Sequence, residues 1–216
     1  MNKFILLIVF LSLTMQGFTQ DDLPSDDKKK KKCIIILTLM GAANFSGIGG
    51  ESESFEGGLF GGNLGLDIPL ICLSERISFH GGLGFSMQGS KYKSYQYEPG
   101  GGSSDGNASL RLNYMVLPLT ARLTGKNGFQ AEAGLQPGLL LSAKDKHNGN
   151  TSDAKEFYNG FDLGIVAGIG YKPPKSNWGF GLRFVPGLTN INKETTYSVK
   201  DHNWAASLRL SYSLPL

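Results

Sequence analysis

Two cysteines, three histidines and a charged fraction of 18% leave this chain of 216 residues poorly supplied for several kinds of chemistry. It has no zinc-type Cys/His spacing, no phosphate-binding glycine loop and no Gly-x-Ser-x-Gly elbow, so neither metal-centred, nucleotide-dependent nor elbow-type hydrolase chemistry has a motif to rest on. A formal charge of +3 is too small to argue for nucleic acid, particularly as Lys28–Lys32 form a single run. Beyond the first twenty residues no apolar run is long enough to cross a membrane as a helix. The glycines show no three-residue period, which excludes collagen, and the strongly apolar segments exclude wholesale disorder.

The first residues read as targeting. Met1–Gln20 have a short basic start, an apolar run from Phe4 to Leu13 and a more polar end, the pattern of a secretory signal peptide. Residues 21–32 read as a polar, charged, solvated tail, and 33–216 as one domain.

What the chain has in quantity is glycine, 30 in all, with 13 Phe and 8 Tyr, set in short alternating segments. In Trp204–Leu214, the residues Trp204, Leu208, Leu210 and Tyr212 face one way and Ser207, Arg209 and Ser211 the other. Trp178–Leu188 repeats the rule with Arg183 among glycines, Phe161–Tyr171 with Asp162, Phe129–Lys144 with Glu132, and Ile77–Gln88 with His80. Phe60–Ile68 opposes Asp67 to Leu66 and Ile68. Leu110–Leu123 is expected to place Arg111 and Arg122 on the polar face, its phase slipping at Pro118, which cannot donate to a ladder. Ile34–Ser46 completes a set of eight strands on composition more than alternation.

The connections alternate in length. Long polar segments, such as 89–108, 144–156 and 189–203, exchange with short ones at 69–76, 124–128 and 172–177. That asymmetry predicts an all-β fold, an eight-stranded antiparallel transmembrane β-barrel with short periplasmic turns and longer extracellular loops. The apolar face would meet lipid, with Trp178, Trp204, Tyr171 and Tyr212 as an interfacial girdle. The polar face would carry a lumenal network of Asp67, His80, Arg111, Arg122, Glu132, Asp162, Arg183 and Arg209, leaving no open pore. A soluble barrel with the apolar face inside is the competing arrangement, and it explains the glycine-rich opposite face poorly.

The segments "YMVLPL" with Tyr114 and Pro118, Ala133–Lys144, Phe161–Tyr171, Gly187–Ile191 and "GAANFSG" at Gly41–Gly47 resemble, in order and spacing, the PorT-like outer-membrane β-barrel family of Bacteroidota. The resemblance spans roughly residues 41–215. It implies location in the cell outer membrane, contact with outer-membrane lipids and insertion through the barrel-assembly machinery. Some members of that wider family belong to secretion or gliding systems, and the resemblance does not assign this chain to one.

The expected role is therefore structural or surface-interacting, with an unidentified envelope or extracellular protein as partner and no nucleic acid. No cofactor, metal or catalytic set is expected; His80, beside Ser78 and Ser86, is read as a hydrogen-bonded structural histidine. Lipid-modifying or small-ligand chemistry stays open as an alternative, as does a soluble secreted binding protein. Lys91, Tyr92, Lys93, Tyr95 and Tyr97 form the candidate loop contact patch, since tyrosine offers amphipathic contact area. Cys33 and Cys72 are expected near one rim of the barrel, where a disulfide and two packed thiols are both open.

Overall fold

The computed structural model describes residues 36–52, 54–97, 103–147, 149–193 and 199–215. The expected signal peptide at 1–20, the expected tail at 21–32 and Cys33 lie outside the described residues. The strands are β1 (Ile36–Gly50), β2 (Phe55–Cys72), β3 (Ile77–Tyr97), β4 (Ser103–Val116), β5 (Leu119–Thr124), β6 (Phe129–His147), β7 (Asn150–Asp153), β8 (Phe161–Tyr171), β9 (Trp178–Pro186) and β10 (Asp201–Pro215). A short 3-10 turn, Lys155–Phe157, stands before β8. Among the described residues no helix is long and apolar enough to cross a membrane, which says nothing of strands.

Among the described residues, all ten strands belong to one antiparallel sheet, in the order β2-β1-β10-β9-β8-β6-β4-β3-β5, with β7 on β6 and further pairings of β2 with β3 and β6 with β5. This corrects the expected eight-stranded barrel to a ten-stranded sheet, for two physical reasons. Pro118 has no N–H to give, and the ladder breaks at 117–118, so the single strand expected over Leu110–Leu123 becomes β4 and β5, both lying between β3 and β6. Residues 150–153, expected as loop, fold back on the end of β6 as β7.

Strand lengths are a second correction. Segments read as long connections are largely strand: β3 and β4 pair out to Tyr97↔Ser103, and β1 extends to Gly50 opposite Asp201. The short turns at 73–76, 125–128 and 172–177 gather at one end, called here the turn end, and the strand extensions at the other, the hairpin end. Gly128, with φ of 92°, makes the tight turn into β6, and a Cβ there would strike Lys172 O at 2.2 Å.

Burial inverts the arrangement of a soluble protein. Phe60, Leu64, Ile169, Leu208 and Phe180 are more than half exposed, while Asp67, Glu132 and Arg183 are buried. The apolar and polar faces assigned to β2, β3, β6, β8, β9 and β10 hold through most of their lengths. In β4 they do not: Leu110, Leu112 and Tyr114 are 1%, 0% and 1% exposed and point inward. There is no slip of phase at Pro118, because Val116, Pro118, Thr120 and Arg122 continue on the same inward face. What changes at the proline is the chemistry of that face.

Candidate functional site

The interior has two levels. Toward the turn end, Glu132 on β6 is the hub. Gly168 opposite it leaves the room, since a Cβ there would lie 2.7 Å from Glu132 Oε1. Arg183 Nε donates to Glu132 Oε1 at 2.8 Å, Arg209 Nη2 reaches the same oxygen at 2.7 Å, and Arg122 Nη2 lies 3.3 Å from Oε2. Arg122 also lies 3.2 Å from Asp67 Oδ2, the oxygen that His80 Nδ1 meets at 2.8 Å. Strands separated in the sheet order, β6 and β10, thus meet through side chains across the polar face.

Toward the hairpin end, Leu110, Leu112, Tyr114, Leu140, Ala143, Ile48 and Ile191 form an apolar cluster. Asp162 belongs to its polar edge and not to the arginine cluster: it accepts from Thr189 Oγ1 at 2.5 Å and from Asn203 Nδ2 at 3.1 Å, and Asn203 also donates to the Tyr114 hydroxyl at 2.9 Å. Of the expected lumenal residues, six therefore come together (Asp67, His80, Arg122, Glu132, Arg183 and Arg209), Asp162 stands apart, and Arg111 is a correction. Arg111 alternates with the inward Leu110 and Leu112, so it lies on the opposite face, and it joins none of these ion pairs.

Ser78 Oγ lies 3.0 Å from His80 Nε2, so Ser78, His80 and Asp67 form a hydrogen-bonded chain in the order of a serine relay. All three sit on the polar face, the His80 and Asp67 side chains 11% and 3% exposed, and not in a cleft on the lipid-type face. Among the described residues no group of His, Cys, Asp and Glu is arranged to hold a metal.

The expected contact patch is strand, not loop. Lys91 and Lys93 are exposed, Lys93 pairing with Glu56. Tyr92 alternates to the other side, where its ring packs edge-on to Phe55 at 6.2 Å and its hydroxyl donates to Asp145 at 2.5 Å. The side chains of Tyr95 and Tyr97 lie outside the described residues. Cys72 ends β2, and the Cys33–Cys72 pairing falls outside the description with Cys33. Asp145, Tyr158, Asp201 and Asn203 carry no motif, and only their meeting in space singles them out.

A family model described as outer membrane protein beta-barrel domain matches residues 38–193. No curated protein matches the sequence significantly. Among solved structures, the attachment invasion locus protein Ail of Yersinia pestis, in complex with the heparin analogue sucrose octasulfate, is similar at 11% identity and a TM-score of 0.52, over 84% of this chain and 99% of that one. Neisserial surface protein A is similar at 12% identity and a TM-score of 0.48, over 83% and 97%. At such identities the likeness is one of fold.

Proposed function

We propose, from the premise that the chain belongs to the outer membrane protein beta-barrel domain family, that it resides in the outer membrane with the polar face of its sheet filled by side chains and acts at the cell surface, not as a channel. The observation that carries this reading is the contact of side chains across the interior on both levels, Arg209 to Glu132 near one end and Asn203 to Tyr114 near the other. The interior spaces left between them are about 50, 30 and 10 Å³, enough for small numbers of waters. A larger hollow, about 780 Å³, is lined by Phe45, Phe60, Phe184 and Leu208 on the apolar face and reaches Asn44, Glu132, Arg183 and Ser207 on the polar one, so the conductance measurement below bears on it directly.

The outer surface supports a membrane position. Two aromatic clusters flank the apolar band: Trp178 with Tyr212 and Tyr171 with Phe180 at the turn end, and Phe45 with Phe60 and Trp204 toward the hairpin end. Trp204 and Tyr212 are separated along β10 by roughly 26 Å at about 3.3 Å per residue, or about 20 Å across a membrane once strand tilt is allowed for. That height suits the apolar belt of an outer-membrane barrel.

Outer-membrane lipid around the chain, the barrel-assembly machinery at biogenesis and an envelope or extracellular protein as partner belong to the same proposal; the PorT-like resemblance by itself assigns no assembly. The discriminating experiment is conductance in planar bilayers of protein whose folding is confirmed by heat-modifiable gel mobility. The expected result is no reproducible unitary current; a stable single-channel conductance overturns the filled interior. Co-purification from outer membranes in mild detergent tests the assembly.

A further inference from the structure

At the hairpin end a cavity of about 400 Å³ opens among Phe55, Tyr92, Tyr158, Asp145 and Asp201. Its aromatic wall is held from behind, since Phe55, Tyr92 and Tyr158 all pack against the apolar interior cluster. Its carboxylates are held by neutral donors, as Asp162 is. Asp201, 1% exposed, accepts the Ser52 backbone N–H at 3.0 Å and Asn192 Nδ2 at 2.9 Å, and Asp145 accepts the Tyr92 hydroxyl. Neither joins an ion pair among the described residues, whereas Asp67 and Glu132 in the interior both do. Lys193, also on the lining, is exposed and makes no ion pair with either. Burial first, and the Asp145 and Asp201 carboxylates second, push the Tyr158 phenol up to about 12.

We propose that this cavity binds an organic cation carrying N–H donors, a primary amine or a guanidinium, between Asp145 and Asp201 and against the faces of Phe55, Tyr92 and Tyr158. The carboxylate oxygens can accept charge-assisted hydrogen bonds, and the ring faces attract the cation once water is displaced. A neutral sugar could use the rings but would leave both carboxylate charges without a counter-ion. A quaternary ammonium could use the rings and the field but has no N–H for the oxygens. The proposal deepens the surface-interaction reading and rests on it for the claim that the ligand arrives from outside the cell.

The test is calorimetric titration of the full chain in detergent with agmatine, tetramethylammonium and maltose. Agmatine is expected to bind, tetramethylammonium more weakly and maltose not at all. Asp145→Asn is expected to weaken agmatine by about tenfold or more, and added salt to weaken it further. Because Asp201 is buried, Asp201→Asn could unfold the end of the chain; Tyr158→Leu serves as the second variant, with gel mobility reporting the fold. No agmatine binding by folded protein, binding indifferent to both variants, or maltose binding of equal strength overturns the proposal. An epitope inserted at the open Gly149 separates the two readings. Agmatine binding with an epitope inaccessible on intact cells sinks the orientation and keeps the pocket, while an accessible epitope without binding sinks the pocket and keeps the orientation.

Discussion

Leu112 on β4 and Arg122 on β5 point inward from one proline-interrupted stretch of chain, yet their surroundings have little in common. Leu112 is 0% exposed in a cluster with Leu110, Tyr114 and Ala143. Arg122 lies between Asp67 and Glu132 at 3.2 and 3.3 Å. The apolar level can fill space with groups that need no partner, and tolerates error in proportion to the volume lost. The ionic level has a stricter requirement, because each guanidinium removed from water must find a carboxylate, and one carboxylate, Glu132, serves three of them. A polar enclosed level is therefore stable only as a set, whereas the apolar level is closer to a sum of its parts.

The largest expected effect breaks that set. Glu132→Gln leaves Arg122, Arg183 and Arg209 without their shared anion, and a loss of about 5 kcal/mol is expected in urea unfolding from lipid or detergent, the upper end of what removing one member of a buried ion network costs. An effect below about 1 kcal/mol would mean that water, not Glu132, solvates the arginines. Leu112→Ala at the other level is expected to cost about 3 kcal/mol through lost contact and residual cavity. The double variant sharpens the comparison: if the levels are independent, the losses add within about 0.5 kcal/mol, and a larger coupling would show that one level positions the other.

Arg111→Gln comes next, expected to change stability by no more than about 0.5 kcal/mol, as for a side chain outside the interior network. A loss comparable to that of Glu132→Gln would restore Arg111 to the enclosed face. This residue also marks where the sequence stops being readable. Period-2 alternation identified the outward residues of β8, β9 and β10 because one face there is apolar and the other polar or glycine. In β4 the inward residues Leu110, Leu112 and Tyr114 are apolar as well, so the rule that apolar means outward places Arg111 inside. The same rule made a slip of phase out of a change in interior chemistry at Pro118. Strand length, and the extra strand β7, escape the same rule for a related reason. Residues 89–97 and 144–153 are polar and glycine-bearing because they extend past the apolar band, and in a sequence that composition is indistinguishable from loop. Asp145, Tyr158 and Asp201 are far apart in the chain, so nothing local reveals the cavity they share.

The smallest expected effect concerns Ser78, and it is an effect of nothing. Its Oγ lies 3.0 Å from His80 Nε2, and His80 Nδ1 lies 2.8 Å from Asp67, which is the hydrogen-bond order that activates a serine nucleophile. Geometry alone does not make a catalyst. Asp67 Oδ2 is shared with Arg122 at 3.2 Å, which ties the chain into the arginine cluster, and the interior cavities of about 50, 30 and 10 Å³ are lined by other residues, leaving an acyl group no described place beside Ser78. A nucleophile needs both the base and a space for the carbonyl it attacks. Folded protein incubated with a fluorophosphonate probe is therefore expected to show no adduct at Ser78 by peptide mass spectrometry, with His80→Asn giving the same blank result. Labelling of Ser78 that His80→Asn abolishes while gel mobility stays that of the folded form would assign the ionic level a reaction, and the contrast between the two levels would become one of chemistry as well as packing.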